Sequence, residues 1–184
     1  MEISERRIKG VFEFVLKPYV DDRGFFMRSF DSGIFNKAGI SNKWVQENHS
    51  RSEKRNTIRG LHFQFPPFSE SKLIRCIRGA VLDVFVDLRN GSDTFGNWDS
   101  IELTEDNKKM ILIPRGFAHG FCTLTDICEV LYKVDNFYSK ENEAGIIWND
   151  PDLKIDWQVT NPILSEKDKH NMSLKDFIEK HKGI

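Results

Sequence analysis

The chain has 184 residues, enough for one domain with a sizeable core and too few for two ordinary ones. Its 27 basic and 28 acidic side chains leave a formal net charge of -1, which gives no electrostatic footprint for nucleic acid or for an anionic membrane surface. Three cysteines, Cys76, Cys122 and Cys128, show no Cys-x-x-Cys spacing; this argues against a disulfide framework or a zinc knuckle and fits a reducing, cytoplasmic setting.

Met1 to Arg7 lacks the apolar core of a secretory leader, and no later run approaches the length of a membrane span. Val11 to Leu16 reads as a strand, ended by Lys17-Pro18. Asp21-Asp22-Arg23-Gly24 is a turn, and Phe25 to Phe30 resumes an extended run, so the pair is expected to form a hairpin. Its aromatics either fill the core or, with Arg23 and Arg28 beside them, make a binding edge. Phe35 to Ile40 is expected to be a short helix closed at Gly39, Trp44 to Ser50 an unusually polar strand, and Arg51 to Asn56 a charged surface loop.

Arg59-Gly60-Leu61-His62-Phe63-Gln64 places a cation, a flexible residue and an imidazole within four positions, followed by strand-like text. Alternation puts His62 and Gln64 on one face, Leu61 and Phe63 on the other. Histidine titrates near neutral pH, which suits a proton-transfer base. From Lys72 the strand signal is strongest: Leu73 to Arg78, a turn at Gly79, then Val81 to Leu88. In the last run Leu82, Val84, Val86 and Leu88 share one face, and Asp83, Phe85 and Asp87 the other. One greasy face and one polar-aromatic face suit a barrel wall beside a ligand cavity.

Further strands are expected at Ser100 to Leu103, Met110 to Ile113, Ile127 to Val134 and Ile146 to Trp148, with turns at Asn90-Gly91-Ser92 and Phe95-Gly96-Asn97. Many short strands between frequent turns predict an all-β sandwich or barrel. Ser173-Leu174-Lys175-Asp176 is a capping box, and Leu174, Phe177, Ile178 and His181 recur at helical spacing, so Ser173 to Lys182 is expected to be a C-terminal helix. With no internal repeat, low-complexity tract or long linker, residues 1–184 are expected to form a single domain.

Pro114-Arg115-Gly116-Phe117-Ala118-His119-Gly120 resembles the second sequence box of the cupin superfamily, whose fold is a double-stranded jelly-roll barrel. Metal-binding cupins join this histidine to a His-x-His pair and a glutamate. Here Gln64 stands at the second histidine, and Lys72 lies where an acid would be wanted. The resemblance therefore implies chemistry without a metal or other cofactor.

Taken together, Arg59 to Gln64, Lys72-Leu73, Val84 to Arg89, Ser92 to Gly96, Ile113 to Phe121, Leu131-Tyr132-Lys133, Trp148 to Pro151, Ile155-Asp156-Trp157 and Leu164 to Asp168 resemble the dTDP-4-dehydrorhamnose 3,5-epimerase family, the RmlC-type sugar-nucleotide epimerases. The resemblance covers about Asp21 to Asp168. It implies a nucleoside-diphosphate 4-keto-6-deoxyhexose as substrate, with inversion at carbon 3, carbon 5 or both. Protons on these carbons are acidified by enolate formation at the ketone.

By this resemblance His62 is the base, Asp168 orients it, Tyr132 donates a proton from the opposite face, and Lys72 stabilises the enolate oxygen. His119 lines the sugar site and Arg59 holds the diphosphate. Gln46, Glu47, Asn48, Glu143 and Lys167 are further substrate contacts, and Tyr138 lies near the nucleoside. Relatives are homodimers whose N-terminal hairpin reaches the partner's site, which would carry Arg23 and Arg28 across the interface. Arg28 stands where the family has a glutamate that helps bind thymine, so the nucleobase is open between thymine and cytosine. No nucleic-acid or membrane partner is expected.

The residues alone leave other readings. Asp168, three after Ser165, could complete a capping box. Tyr132 could be a core tyrosine with a bonded hydroxyl, Lys72 a solvated edge lysine, Arg59 a surface charge and His119 structural. A different cupin enzyme and a non-catalytic sugar-nucleotide binding protein are the alternative functions.

Overall fold

In the computed structural model, which describes residues 1–184, two antiparallel sheets face each other as a double-sheet jelly roll. The strands are β1 (Glu2–Glu5), β2 (Phe12–Val15), β3 (Tyr19–Asp21), β4 (Gly24–Phe26), β5 (Gln46–Ser52), β6 (Ile58–Gln64), β7 (Lys72–Arg78), β8 (Ala80–Asp87), β9 (Trp98–Thr104), β10 (Lys109–Ile113), β11 (Phe117–Thr123), β12 (Cys128–Val134) and β13 (Glu143–Gly145). One sheet has six strands in the order β1-β2-β10-β7-β12-β5 and the other five in the order β13-β6-β11-β8-β9. β3 and β4 form a separate hairpin.

Side-chain alternation divides the apolar residues among three clusters. Ile74, Ile111 and Val130 from the six-stranded sheet meet Phe85, Phe117 and Phe121 from the five-stranded sheet in the interior between them. Leu61, Phe63, Val84 and Val86 face the other way and are covered by Trp157 and by helix α2 (Leu174–His181) through Leu174 and Phe177. Outside the six-stranded sheet, Phe14, Leu73 and Leu112 are covered by helix α1 (Ser32–Lys37), whose Phe35 ring stacks on Phe14 at 4.7 Å between centroids. The expected division of β8 into a greasy and a mixed face is present: Leu82, Val84, Val86 and Leu88 lie under α2, while Phe85 and the fully buried Asp83 point between the sheets.

Several boundaries differ from expectation. α1 begins at Ser32 because the Asp31 carboxylate caps the Gly33 and Ile34 N–H groups. β5 runs two residues further than expected, through Ser52, because Arg51 and Ser52 stay paired with β12. The extended run after Gly24 pairs only as far as Phe26. The strand expected at Ile146 to Trp148 lies instead at Glu143–Gly145, paired with the end of β6, and Ile146 makes only an isolated bridge to Met172. α2 is capped by Ser173 Oγ, which accepts from the Asp176 N–H at 3.0 Å.

Candidate active site

A cavity of about 450 Å³ opens between the sheets, and a second recess of about 250 Å³ adjoins it. His62, Lys72 and Tyr132 line both, so these three stand at the junction. His62 comes from β6 in the five-stranded sheet; Lys72 and Tyr132 come from β7 and β12 in the six-stranded sheet. The imidazole and the phenol therefore occupy opposite walls.

Simple alternation would send Arg59 and His62, three residues apart, to opposite faces of β6. Both nevertheless line the first cavity. The register explains this: His119 pairs with His62 but Phe121 pairs with Arg59, so β6 spends three residues against two on β11. The extra residue makes a β-bulge that returns Arg59 to the His62 side. Gly60 lies in the bulge at φ +135°, and a Cβ there would stand 2.5 Å from Gly120 Cα, so glycine is required by both conformation and space.

His62 Nε2 is 2.5 Å from Asp168 Oδ1, and Asp168 is buried. Burial alone would raise the Asp168 carboxyl, but its hydrogen bonds to His62 and Ser165 outweigh that and hold it below the usual carboxylate range. An ionised carboxylate only accepts, so Nε2 carries the hydrogen and Nδ1 is left as the ring's acceptor. The capping reading of Asp168 also has a counterpart, because its backbone N–H donates to Ser165 Oγ at 3.1 Å. Backbone and side chain of this residue do different work.

Tyr132 makes no hydrogen bond to protein through its hydroxyl, unlike a bonded core tyrosine, and burial first and Glu70 second push its phenol up. Lys72 is no edge lysine: β7 lies between β10 and β12, and the side chain is 12% exposed. His119 lies within β11, and its Nε2 is 2.9 Å from Asp83 Oδ2. Arg59 is anchored by donating to Ser52 Oγ and to the Arg51 carbonyl.

The second recess collects Gln46, Asn48, Tyr138 and Glu143. Tyr138 Oη donates to Glu143 at 3.0 Å, and Lys167 pairs with Glu143 at 2.5 Å. Burial opposes ionisation of Glu143, but these two partners hold it below its ordinary range. Glu47, expected as a substrate contact, lies outside both recesses. Alternation along β5 turns Gln46, Asn48 and Ser50 inward and Glu47, His49 and Arg51 outward, and Glu47 is spent on a surface ion pair with Lys133 at 2.8 Å. Arg23 and Arg28 lie outside both recesses: Arg23 pairs with Asp21 at 2.6 Å, and Arg28 lies 3.7 Å from Asp31.

Asp83 and Glu70 join the site although neither lies in the segments that carry the family resemblance. Asp83 had a signal, an acid alternating with Phe85 on the inward face of a strand. Glu70 had none, since it lies in a loop. The Gln64 amide is fully engaged, accepting from Ser139 N–H at 2.6 Å and donating toward Phe68 O, Glu70 and Phe137 O.

The family model for dTDP-4-dehydrorhamnose 3,5-epimerase matches residues 5–176. The dTDP-4-dehydrorhamnose 3,5-epimerase of Shigella flexneri is 46% identical over 177 residues, covering 96% of this chain and 97% of that protein. The crystal structure of the Bacillus anthracis enzyme of the same name, with TDP and pyrophosphate bound, superposes with a TM-score of 0.92 at 43% identity, covering 94% of this chain and 99% of that one. The Legionella pneumophila epimerase RmlC, in complex with dTDP-4-keto-L-rhamnose, gives a TM-score of 0.90 at 39% identity over 95% of this chain and 93% of that one. The chain belongs to the dTDP-4-dehydrorhamnose 3,5-epimerase family.

Proposed function

We propose that the protein is a metal-independent epimerase that converts dTDP-4-dehydro-6-deoxyglucose to dTDP-4-dehydrorhamnose by inverting carbons 3 and 5. One observation carries this reading: an imidazole oriented by a buried carboxylate on one sheet faces a phenol on the other across a single cavity. Inversion needs a base on one face of a ring and an acid on the other, and a sugar held between the sheets meets both.

In this reading His62 Nδ1 removes the proton beside the ketone, and the C–H electron pair moves into the enolate. Asp168 stabilises the imidazolium that forms. Lys72 places positive charge near the enolate oxygen. Burial keeps Tyr132 protonated, so its hydroxyl can deliver a proton to the carbon's opposite face as the ketone re-forms. The phenolate and the imidazolium then exchange protons with solvent. Arg59 meets the diphosphate, His119 and Lys167 line the sugar side, and Gln46, Asn48, Tyr138 and Glu143 form the second recess. Gln64 and Lys72 supply an engaged amide and a cation where a metal would need donors, which favours acid–base chemistry alone.

The β3–β4 hairpin supports a homodimer as the working unit. Tyr19, Val20, Phe25 and Phe26 are 56–76% exposed on it, and docking on a second copy would cover them and bring Arg23 and Arg28 to that copy's site. No helix is long and apolar enough to cross a membrane, and we place the enzyme in the cytoplasm as one catalytic domain.

The test is incubation with dTDP- and CDP-linked 4-keto-6-deoxyglucose in heavy water, followed by NMR. Deuterium at carbons 3 and 5 of the dTDP sugar, with the rhamno product, is expected. No incorporation at either carbon would overturn the reading. Arg28→Glu run in parallel reports whether Arg28 reads the base: an unchanged dTDP-to-CDP ratio of kcat/KM removes it from that role.

A further inference from the structure

Glu70 enters the site from the loop between β6 and β7, and its side chain is only 13% exposed. Its two carboxylate oxygens serve different donors. Oε1 lies 3.3 Å from Lys72 Nζ, and Oε2 accepts from Gln64 Nε2 at 3.1 Å. The Gln64 amide can present only its nitrogen to Glu70, because its oxygen accepts the Ser139 N–H. The backbone beside Glu70 is also tied down. Ser69 Oγ donates to the Gln64 carbonyl at 3.0 Å, Asn136 Nδ2 to the Ser69 carbonyl at 3.2 Å, and the Ser71 N–H to Asp135 at 2.6 Å. Glu70 is thus fixed without help from Lys72. Lys72 has a flexible four-carbon stem, and Glu70 is the one carboxylate that pairs with it.

We infer that Glu70 is a positioning residue, which holds the Lys72 ammonium at the junction of the two recesses, where the ketone oxygen binds. This rests on the reading of Lys72 as the group that faces that oxygen. A charge held in place before reaction stabilises an enolate without reorganising, whereas an ammonium on a loose stem must first be ordered. The requirement at position 70 is an acceptor within reach of Nζ. Glutamine keeps one such oxygen, and Gln64 Nε2 still has the Phe68 and Phe137 carbonyls at 3.0 and 3.2 Å. Leucine keeps the bulk and loses the acceptor.

The experiment is steady-state kinetics with dTDP-4-keto-6-deoxyglucose for Glu70→Leu, Glu70→Ala and Glu70→Gln, each alone and combined with Lys72→Met, with melting curves to select folded protein. Glu70→Leu and Glu70→Ala should lower kcat about tenfold, a fraction of the ~10²–10³-fold cost of removing an oxyanion donor, with KM changed less than about twofold. Glu70→Gln should recover most of that loss. In the Lys72→Met background the same substitutions should leave the residual kcat unchanged, because a residue that acts through Lys72 has nothing left to position. A loss confined to KM, a glutamine variant as poor as leucine, or an equal loss with and without Lys72 would each overturn the inference. Lys72→Met with wild-type kcat would remove the Lys72 assignment and this inference with it. An impaired Lys72→Met beside fully active Glu70→Leu and Glu70→Ala overturns the inference alone.

Discussion

His62 Nε2 and Asp168 Oδ1 lie 2.5 Å apart although 106 residues separate them in the chain. The contact joins a rigid strand to a 3-10 turn at Asp168–His170, whose position depends on the packing of the segment before α2. It assigns the imidazole hydrogen to Nε2 and leaves Nδ1 to take a proton. His62→Asn should therefore reduce deuterium exchange at every carbon by ~10²–10⁴-fold, the usual worth of a general base, with little change in melting temperature. Solvent exchange followed by NMR measures it, and wild-type exchange by the folded variant would remove His62 from the mechanism.

Asp168→Ala separates catalysis from capping. The Asp168 backbone N–H bond to Ser165 Oγ survives the substitution, so the local turn keeps its cap. Turnover should fall much further than stability. Ser165→Ala should do the reverse, losing roughly 0.5–2 kcal/mol as a lost cap does, with a much smaller effect on rate. Parallel kcat and urea-melt measurements decide, and a destabilised but fully active Asp168→Ala would make the role of this side chain structural.

Tyr132→Phe should uncouple proton removal from inversion. His62 on the opposite sheet and its partner Asp168 are untouched, so exchange with retained configuration should persist while epimer formation drops. Comparing deuterium incorporation with product configuration reads this directly. Epimer formed at the wild-type rate would show that the proton comes from elsewhere.

Gly60→Ala tests the bulge. The added Cβ would meet Gly120 Cα at 2.5 Å and the His119 carbonyl at 2.9 Å, at a φ of +135° that side chains avoid. Overpacking and backbone strain each cost about 1–3 kcal/mol, so a large drop in melting temperature is expected, with loss of activity as Arg59 and His62 are displaced together. A variant of wild-type stability and rate would mean that the register does not depend on this glycine.

Asp87 supplies a pH dependence. Burial opposes its ionisation, but hydrogen bonds from Arg89, Ser92 and Thr94 hold the carboxyl down at about 2. A depressed carboxyl stabilises the fold above its unfolded value, and the contribution disappears as pH falls from near 4 through about 2. Wild type should lose roughly 2 kcal/mol across that window from this group. Asp87→Asn should be less stable at neutral pH, and the difference should shrink toward pH 2. Denaturant melts at several pH values would show it; a constant difference would contradict the assignment.

Some of this molecule is fixed by local sequence because its cause is local. Alternation on β8 separates Leu82, Val84, Val86 and Leu88 from Asp83 and Phe85, since neighbouring strand residues must point to opposite faces. The Ser173 cap and the helix after it follow from bonds spanning a few residues. His62, Lys72, Tyr132 and Asp168 were legible as a set through a motif resemblance, not through any local pattern. Other features had to wait for the tertiary structure. The same alternation that organised β8 turns Glu47 away from the two recesses, because only the pairing of β5 with β12 fixes which phase faces inward. The bulge at Gly60 breaks the period of two that would have separated Arg59 from His62, and it is visible only in the register against β11. Glu70 gives no periodic signal at all. Its carboxylate reaches Lys72 because the loop is tied to nearby Gln64 and also to Asp135 and Asn136, two residues distant in sequence that only the packed sheets bring beside it.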